Sequence, residues 1–344
     1  MTPFIYSALP TRVIFGRGKI AEAAGEAKRL GMKRPLVITT AHQGASAAPI
    51  AALANGVSFA RAAMHTPVNI TDQAMAVLQA EACDGTIALG GGSSTGLGKA
   101  IALRTDLPQL VIPTSYAGSE MTNILGETQG GAKTTKRDAK IQPETVIYDP
   151  DLLDTLADRF AATSGMNAIA HAVEGLYAVD GNPIISLMAE EGIRALASAL
   201  PKGKAGHDEA LYGAWLCGTV LGSAAMALHH KLCHVLGGTF DLPHAETHTV
   251  ILPHATSYNA PGSPAAMARI IRALGSASAA GGLYDLARSL QAPLTLKELG
   301  MTEAGLDKAA DIAAANPYSN PTPIERAAIR KLLDDAFHGR RPEH

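Results

Sequence analysis

The chain has 344 residues, enough for about two domains, and its 29 Lys and Arg against 31 Asp and Glu leave a formal charge of −2. No basic surplus exists to neutralise a phosphate backbone, so nucleic acid is not an expected partner. With 47% hydrophobic and 17% charged residues the chain can bury a sizeable core rather than stay disordered, and Cys83, Cys217 and Cys233 form no CxxC pair, which excludes a disulfide framework and suits a reducing, cytoplasmic compartment.

The opening MTPFIYSALPTRVIFGRG lacks a basic stretch followed by an apolar run, so no secretory signal is expected. RPLVITT at 34–40 is short, apolar and followed by small residues, the texture of a buried parallel strand. DGTIALGGGSS at 84–94 reads as a second strand entering a glycine loop, and TGLGKAIALR continues it as a helix. LPQLVIPTS at 107–115 is a third strand closed by Pro113, and ETVIYDP at 144–150 is a fourth. Strands alternating with helical stretches predict a doubly wound, mostly parallel α/β sheet of the nucleotide-binding kind. Past Pro150 the texture changes to Ala-, Leu- and Met-rich helix, as in LLDTLADRFAATSGMNAIAHAVEGLYA at 152–178 and EGIRALASAL at 191–200. Loops are expected at APGSP (260–264) and NPYSNPTP (316–323), and FHGRRPEH (337–344) is expected to be a loose tail. The expected domains are 1–153, a nucleotide-binding α/β unit, and 154–344, an all-α unit. No apolar segment is long enough to span a bilayer, so no membrane association is expected.

Gly90, Gly91, Gly92, Ser93 and Ser94 stand where a strand gives way to a helix. Glycines let a backbone approach a phosphate, and N–H groups at a helix start favour an anion. The run is neither GxGxxG, because Thr95 takes the third glycine's place, nor a P-loop, because Lys99 is followed by Ala100; tight packing alone is the alternative. Thr114, Ser115, Tyr116, Gly118 and Ser119 leave the third strand at the same sheet edge, where their hydroxyls can meet an adenine or ribose; Ser119 can equally cap the next helix.

Six of the twelve histidines fall at 229, 230, 234, 244, 248 and 254. His230 and His234 share a helix face, as do Asn167 and His171, with Glu174 one turn on. Three histidines and a carboxylate make a divalent-metal site, but here the fourth position offers Asn167, a neutral amide. Any one of these histidines alone would be read as a satisfied core residue; their grouping points to a functional cluster.

GGGSS at 90, PTSYAGSE at 113, SGMNAIAHAVEGLYA at 164 and HHKLCHVLGGTFDLPHAE at 229 together resemble the iron-containing alcohol dehydrogenase family over about residues 10–330. The resemblance implies a dehydroquinate synthase-like fold, a homodimer, and metal ligands falling on Asn167, His171, His230 and His244, with His234 near the nicotinamide. Loss of the family's aspartate at 167 removes its anionic ligand. With HHKLCH and NPYSNP, this resembles the maleylacetate reductase branch, which implies NADH or NADPH as cofactor, maleylacetate as substrate, 3-oxoadipate as product and no essential metal. It also implies His234 and His244 as proton donor and oxyanion stabiliser, with His171 and His230 orienting substrate or sharing that work. Tyr116 and Lys231 are candidates for the substrate carboxylates, and Tyr318 could cover the site. Lys133 matches a family lysine near the nicotinamide ribose. Thr40 or Ala41 stands where many members carry an aspartate that repels a 2′-phosphate, so NADPH should be tolerated. The alternative is a metal-dependent alcohol dehydrogenase, using iron or zinc on a small alcohol or aldehyde, with the Asn167 amide oxygen still a ligand.

Overall fold

The computed structural model describes residues 4–9, 11–130, 132–316 and 318–343. The chain divides into two compact units, residues 8–156 and residues 157–344, the second taking in the segment before residue 8.

The first unit runs β1 (Arg12–Phe15), α1 (Ala23–Arg29), β2 (Leu36–Ile38), α2 (Gly44–Leu53), β3 (Val57–Phe59), α3 (Val68–Ala80), β4 (Thr86–Gly90), α4 (Gly92–Thr105), β5 (Gln109–Pro113), β6 (Ile124–Gln129), β7 (Ala132–Arg137) and β8 (Thr145–Tyr148). Six strands pair in parallel in the order β1-β8-β5-β4-β2-β3. Side chains alternate across the sheet as the pleat demands. Val37, Ile87, Leu89, Leu110 and Ile112 pack with Ala23 and Ala27 of α1 and Ala47 and Ile50 of α2. Leu36 and Ile38 turn the other way, onto Leu78 of α3 and Leu97 and Ile101 of α4. Helices therefore cover both faces, which is why β2, β4 and β5 are buried throughout and read as mostly apolar runs. The strand order reverses at β2, with β3 on one side and β4 and β5 on the other, so the crevice for a ligand lies beyond the carboxyl ends of β2 and β4. β6 and β7 form a separate antiparallel hairpin.

The second unit is helical: α5 (Asp158–Leu176), α6 (Pro183–Ala199), α7 (His207–Ser223), α8 (Leu228–Phe240), α9 (His244–Asn259), α10 (Pro264–Leu274), α11 (Ala279–Ser289), α12 (Gly305–Ala314) and α13 (Arg326–His338). Every residue from 165 to 175 of α5 is buried, the mark of a helix enclosed by others. Its polar members there, Asn167, His171 and Glu174, recur at i, i+4 and i+7 and so share one face. Leu228, Leu232 and Leu236 of α8 form a core with Val250 and Ile251 of α9, Leu306 of α12 and Ile329 and Leu333 of α13. Each such leucine contributes on the order of 2 kcal/mol by leaving water, and together they fix the helices that carry the polar residues. No single helix among the described residues is long and apolar enough to cross a membrane.

The expected loose tail is corrected. Phe337 is buried on α13, Arg340 pairs with Asp334 and Asp335, and Arg341 pairs with Asp285 of α11. One apolar anchor and a group of ion pairs hold this stretch, which the Gly-Arg-Arg-Pro wording concealed; His344 lies outside the described residues.

Candidate active site

In the first unit α4 begins at Gly92 with Gly91 as its N-cap, and no side chain caps it. The first-turn N–H groups are thus left for backbone, solvent or an anion. Gly90 has φ 142°, and a Cβ there would sit 2.5 Å from Ser94 Oγ and 2.9 Å from Gln43 Oε1; one on Gly91 would sit 2.9 Å from Ser115 Oγ. A Cβ on Gly92 would meet nothing within 4 Å. The buried Ser94 Oγ has no hydrogen-bond partner, while Ser93 is half-buried. Beside this loop the Thr40 hydroxyl donates to Gln43 Oε1 at 3.4 Å, Gln43 Nε2 donates to Thr114 Oγ1 at 2.9 Å, and the Thr114 N–H donates to the Gly90 carbonyl at 3.1 Å. The ends of β2, β4 and β5 are thereby laced together at the switch point. Gln43 was not legible in the sequence: only its place in the loop after β2 distinguishes it.

Gly92→Val should leave the fold intact, since the new side chain enters open space, and should weaken a phosphate-bearing ligand of this loop about tenfold or more by obstructing the helix terminus. Fluorescence titration checks this; unchanged affinity would leave the loop a packing feature alone.

Gly118 has φ 78° and is itself the N-cap of the short turn Ser119–Met121. Ser119 is therefore not the cap expected of it; its carbonyl instead accepts from the Lys99 ammonium, which also donates to the carbonyls of Thr122 (2.7 Å) and Ile124 (3.0 Å) and to Thr122 Oγ1 (2.8 Å). The lysine that nearly completes a P-loop motif thus points into the protein, fully buried on α4, and fastens the segment leaving β5. Burial pushes its ammonium down to about 7, with Glu120 opposing that shift and Arg137 adding to it. Tyr116 is 1% exposed, and burial pushes its phenol up. Lys133 stands on β7 opposite Thr128 of β6; its side chain lies outside the described residues.

In the second unit His171, His229, His230, His234, His244 and His248 form one group, whereas His254, counted with them in the sequence, makes no ring contact with it among the described residues. His171 and His230 have ring centres 5.2 Å apart, His230 and His234 6.3 Å, His230 and His248 5.0 Å, and His244 and His248 4.4 Å. Glu174 organises it. Its carboxylate, fully buried, accepts from the backbone N–H of Ala227 (2.9 Å) and His229 (2.8 Å) and lies 2.6 Å from His230 Nδ1. α8 has no side-chain cap of its own; this carboxylate from α5 supplies one, where the helix dipole favours negative charge. Held at Nδ1, His230 turns its Nε2 away, and that atom is buried without a partner, as are Asn167 Oδ1 and His171 Nδ1. Burial, reinforced by His230 and His244, holds His171 well below the ordinary imidazole range; burial does the same for His229 and His248.

The remaining predicted residues lie in the same unit. Lys231 places its Nζ 5.8 Å from the centre of the Tyr318 ring, a cation–π contact rather than a solvated helix face. Asn320, in the proline-rich loop, accepts from the Leu228 N–H at 3.3 Å and exchanges amide hydrogen bonds with Asn259 at 3.1 and 2.7 Å. Sequence reasoning counted His229 and His248 but gave them no role. The structure joins them, Nε2 to Nδ1, at 2.9 Å, with Cys233 Sγ 3.7 Å from the same Nε2. The donor atoms of this trio lie within 4.8 Å of one another, but two of them are spent on each other.

The family model for iron-containing alcohol dehydrogenase matches residues 10–150, and that for the C-terminal part of the Fe-containing alcohol dehydrogenase family matches 161–337. The chain belongs to the iron-containing alcohol dehydrogenase family. It is 53% identical to a maleylacetate reductase of Sphingobium indicum, covering 98% of this chain and 99% of the relative. The crystal structure of maleylacetate reductase from Agrobacterium tumefaciens superposes with a TM-score of 0.96 at 51% identity, covering 99% of this chain and 100% of that one. That from Rhizobium sp. gives 0.95 at 51%, with the same coverage. The parallel sheet followed by a helical unit is the architecture of this family, as the sequence pattern led one to expect.

Proposed function

We propose that the chain is a maleylacetate reductase, which reduces the conjugated C=C of maleylacetate to 3-oxoadipate in the breakdown of aromatic compounds. The observation that carries this reading is the neutral donor set. Asn167 is an amide, His171 is held neutral by burial, and the one adjacent carboxylate, Glu174, is committed to α8 and to His230. Nothing anionic in that group is left to compensate a divalent ion, so the residues do not fit a permanently held iron. Full-length relatives about half identical to the chain support the same reading.

NADH or NADPH supplies the hydride. The alkene carbon β to the ketone accepts it, and negative charge gathers on the ketone oxygen as an enolate. An imidazole N–H held in place beside that oxygen stabilises the charge as it forms. His234 and His244 are assigned the proton transfer to the neighbouring carbon and the stabilisation of the oxyanion, with Asn167, His171 and His230 orienting the substrate. Lys231, beside Tyr318, is the cation suited to a substrate carboxylate. Thr40, without a carboxylate, admits a 2′-phosphate as well as a free ribose hydroxyl. Three free, buried thiols suit the cytoplasm, and a homodimer is the expected assembly.

The test is NADH oxidation by maleylacetate before and after exhaustive chelation, with elemental analysis of the sample. Turnover that survives chelation is expected. Turnover lost on chelation and restored by iron or zinc would make Asn167 a working ligand and return the chain to metal-dependent chemistry.

A further inference from the structure

In a doubly wound sheet a dinucleotide lays its pyrophosphate on the glycine loop, and a side chain at the carboxyl end of the neighbouring strand reads the adenosine ribose. Here the glycine loop follows β4, and β2 is a neighbour of β4 in the sheet. Beyond β2 come Thr39, Thr40, Ala41, His42 and Gln43, with no carboxylate among them. Thr39 is fully buried, Ala41 is apolar and His42 is exposed, which leaves Thr40 and Gln43 as the half-buried polar side chains of this turn.

Gln43 is the N-cap residue of α2, yet its side chain does not cap that helix. It reaches instead across the ends of three strands. Oε1 accepts from the Thr40 hydroxyl at 3.4 Å, and Nε2 donates to Thr114 Oγ1, just past β5, at 2.9 Å. Beside the amide lies Gly90, the last residue of β4, where a Cβ would stand 2.9 Å from Oε1; the bare glycine keeps room for it. An amide has two N–H groups and two lone pairs on its oxygen. With one of each engaged, one N–H and one lone pair remain, next to the loop that opens α4.

We propose that Gln43 is a specificity-determining residue for the cofactor: its amide, fixed by Thr40 and Thr114, reads the adenosine ribose in place of a carboxylate and admits NADPH beside NADH. This rests on the dinucleotide part of the reading above and not on which substrate is reduced. A ribose 2′-hydroxyl can donate to the remaining lone pair or accept from the remaining N–H, and a 2′-phosphate can accept from that same N–H. A carboxylate can only accept, and it sets its own charge against the phosphate. The rival role is that of a latch, which ties β2 to β5 without touching the cofactor. Gln43→Glu separates the two, because both threonine hydroxyls can rotate to donate to a carboxylate. The latch then survives, and only the charge is new.

Fluorescence titration at pH 8, where the His42 imidazole on the same turn is uncharged, gives Kd for NADH and for NADPH. The wild type should bind the two within about tenfold of each other. Gln43→Glu should weaken NADPH about a hundredfold, as like charges brought together do, and NADH by less than about threefold. Gln79→Glu, which adds the same charge at an exposed position of α3, should leave both values unchanged. Gln43→Lys should move the ratio the other way, favouring NADPH by about tenfold, and it decides the matter should the glutamate variant fail to fold. Equal changes for NADH and NADPH in the Gln43 variants would make the residue a latch alone and overturn the proposal. A wild type that binds neither dinucleotide would overturn the dinucleotide reading and this assignment with it. A wild type that binds both, shows the expected shifts and leaves maleylacetate unreduced would overturn the substrate and uphold the role of Gln43.

Discussion

Glu174→Gln should lower turnover by about 10- to 100-fold, the range found when the partner that orients an active-site histidine is lost. The substitution keeps shape and removes charge, so its effect isolates what the carboxylate does. Both of its oxygens accept: one from the N–H of His229, the other from the N–H of Ala227, with His230 Nδ1 2.6 Å away. An amide offers one oxygen and one NH₂, and the NH₂ must then face at least one donor. If it faces the backbone, the first turn of α8 loses its cap; if it faces His230, the ring is driven to carry its proton on Nε2. Either way a buried donor goes unmatched, at about 1–3 kcal/mol. The melting temperature should therefore fall by several degrees along with kcat. Differential scanning fluorimetry and initial rates measure both, and a variant matching the parent in both would remove Glu174 from the account.

Lys99→Met should destabilise the first unit by about 2–4 kcal/mol and weaken the cofactor about tenfold. Methionine fills the space but leaves the carbonyls of Ser119, Thr122 and Ile124 without their shared donor. Those carbonyls hold the segment that carries Thr114 and Ser115 out of β5, so the lacing at the switch point should loosen too. A pH signature accompanies the loss. The Lys99 ammonium sits at about 7 in the folded chain against 10.5 for a free side chain. Between those values the unfolded chain binds more protons, so wild-type stability should rise as pH rises from about 7 towards 10. The variant should lack that rise while sharing every other titration. Denaturant melts at pH 7, 8.5 and 9.5 compare the two slopes, and parallel slopes would show that Lys99 does not titrate in this window. Burial of a charged lysine is costly, so its retention here is best explained by the number of acceptors it serves at once.

The strands that the sequence declared are the ones buried on both faces. β2, β4, β5 and β8 are buried throughout and mostly apolar. β1 and β3 went unread, and both lie at the edges of the sheet, where partial exposure mixes polar residues into a run of three or four. The β6–β7 hairpin was hidden for a related reason, since ILGETQ and AKTTKR carry few apolar residues to mark a strand.

At the site, spacing along one helix was enough to group Asn167 with His171 and His230 with His234. It could not show that the next turn of α5 caps α8, because a cap supplied from another helix leaves no local signature. Nor could it pair His229 with His248, which are separated by a chain reversal at Asp241, Leu242 and Pro243. Glu174 was noted as a neighbour and proved to be the hub. Lys99 was weighed as a phosphate ligand and rejected on motif grounds; what it does instead depends on carbonyls more than twenty residues downstream for Thr122 and Ile124.

The face of α5 separates two jobs that could have fallen to one residue. Glu174 carries the mechanical work of seating α8, while Asn167 Oδ1 bonds to nothing in the protein. Position 167 can consequently gain or lose a charge without removing the cap of α8. Aspartate and asparagine codons differ by a single base, so a lineage could pass between an anionic and a neutral donor set in one step. The ease with which such a scaffold exchanges one chemistry for another is then a property of how its load is distributed, not of any looseness in the site.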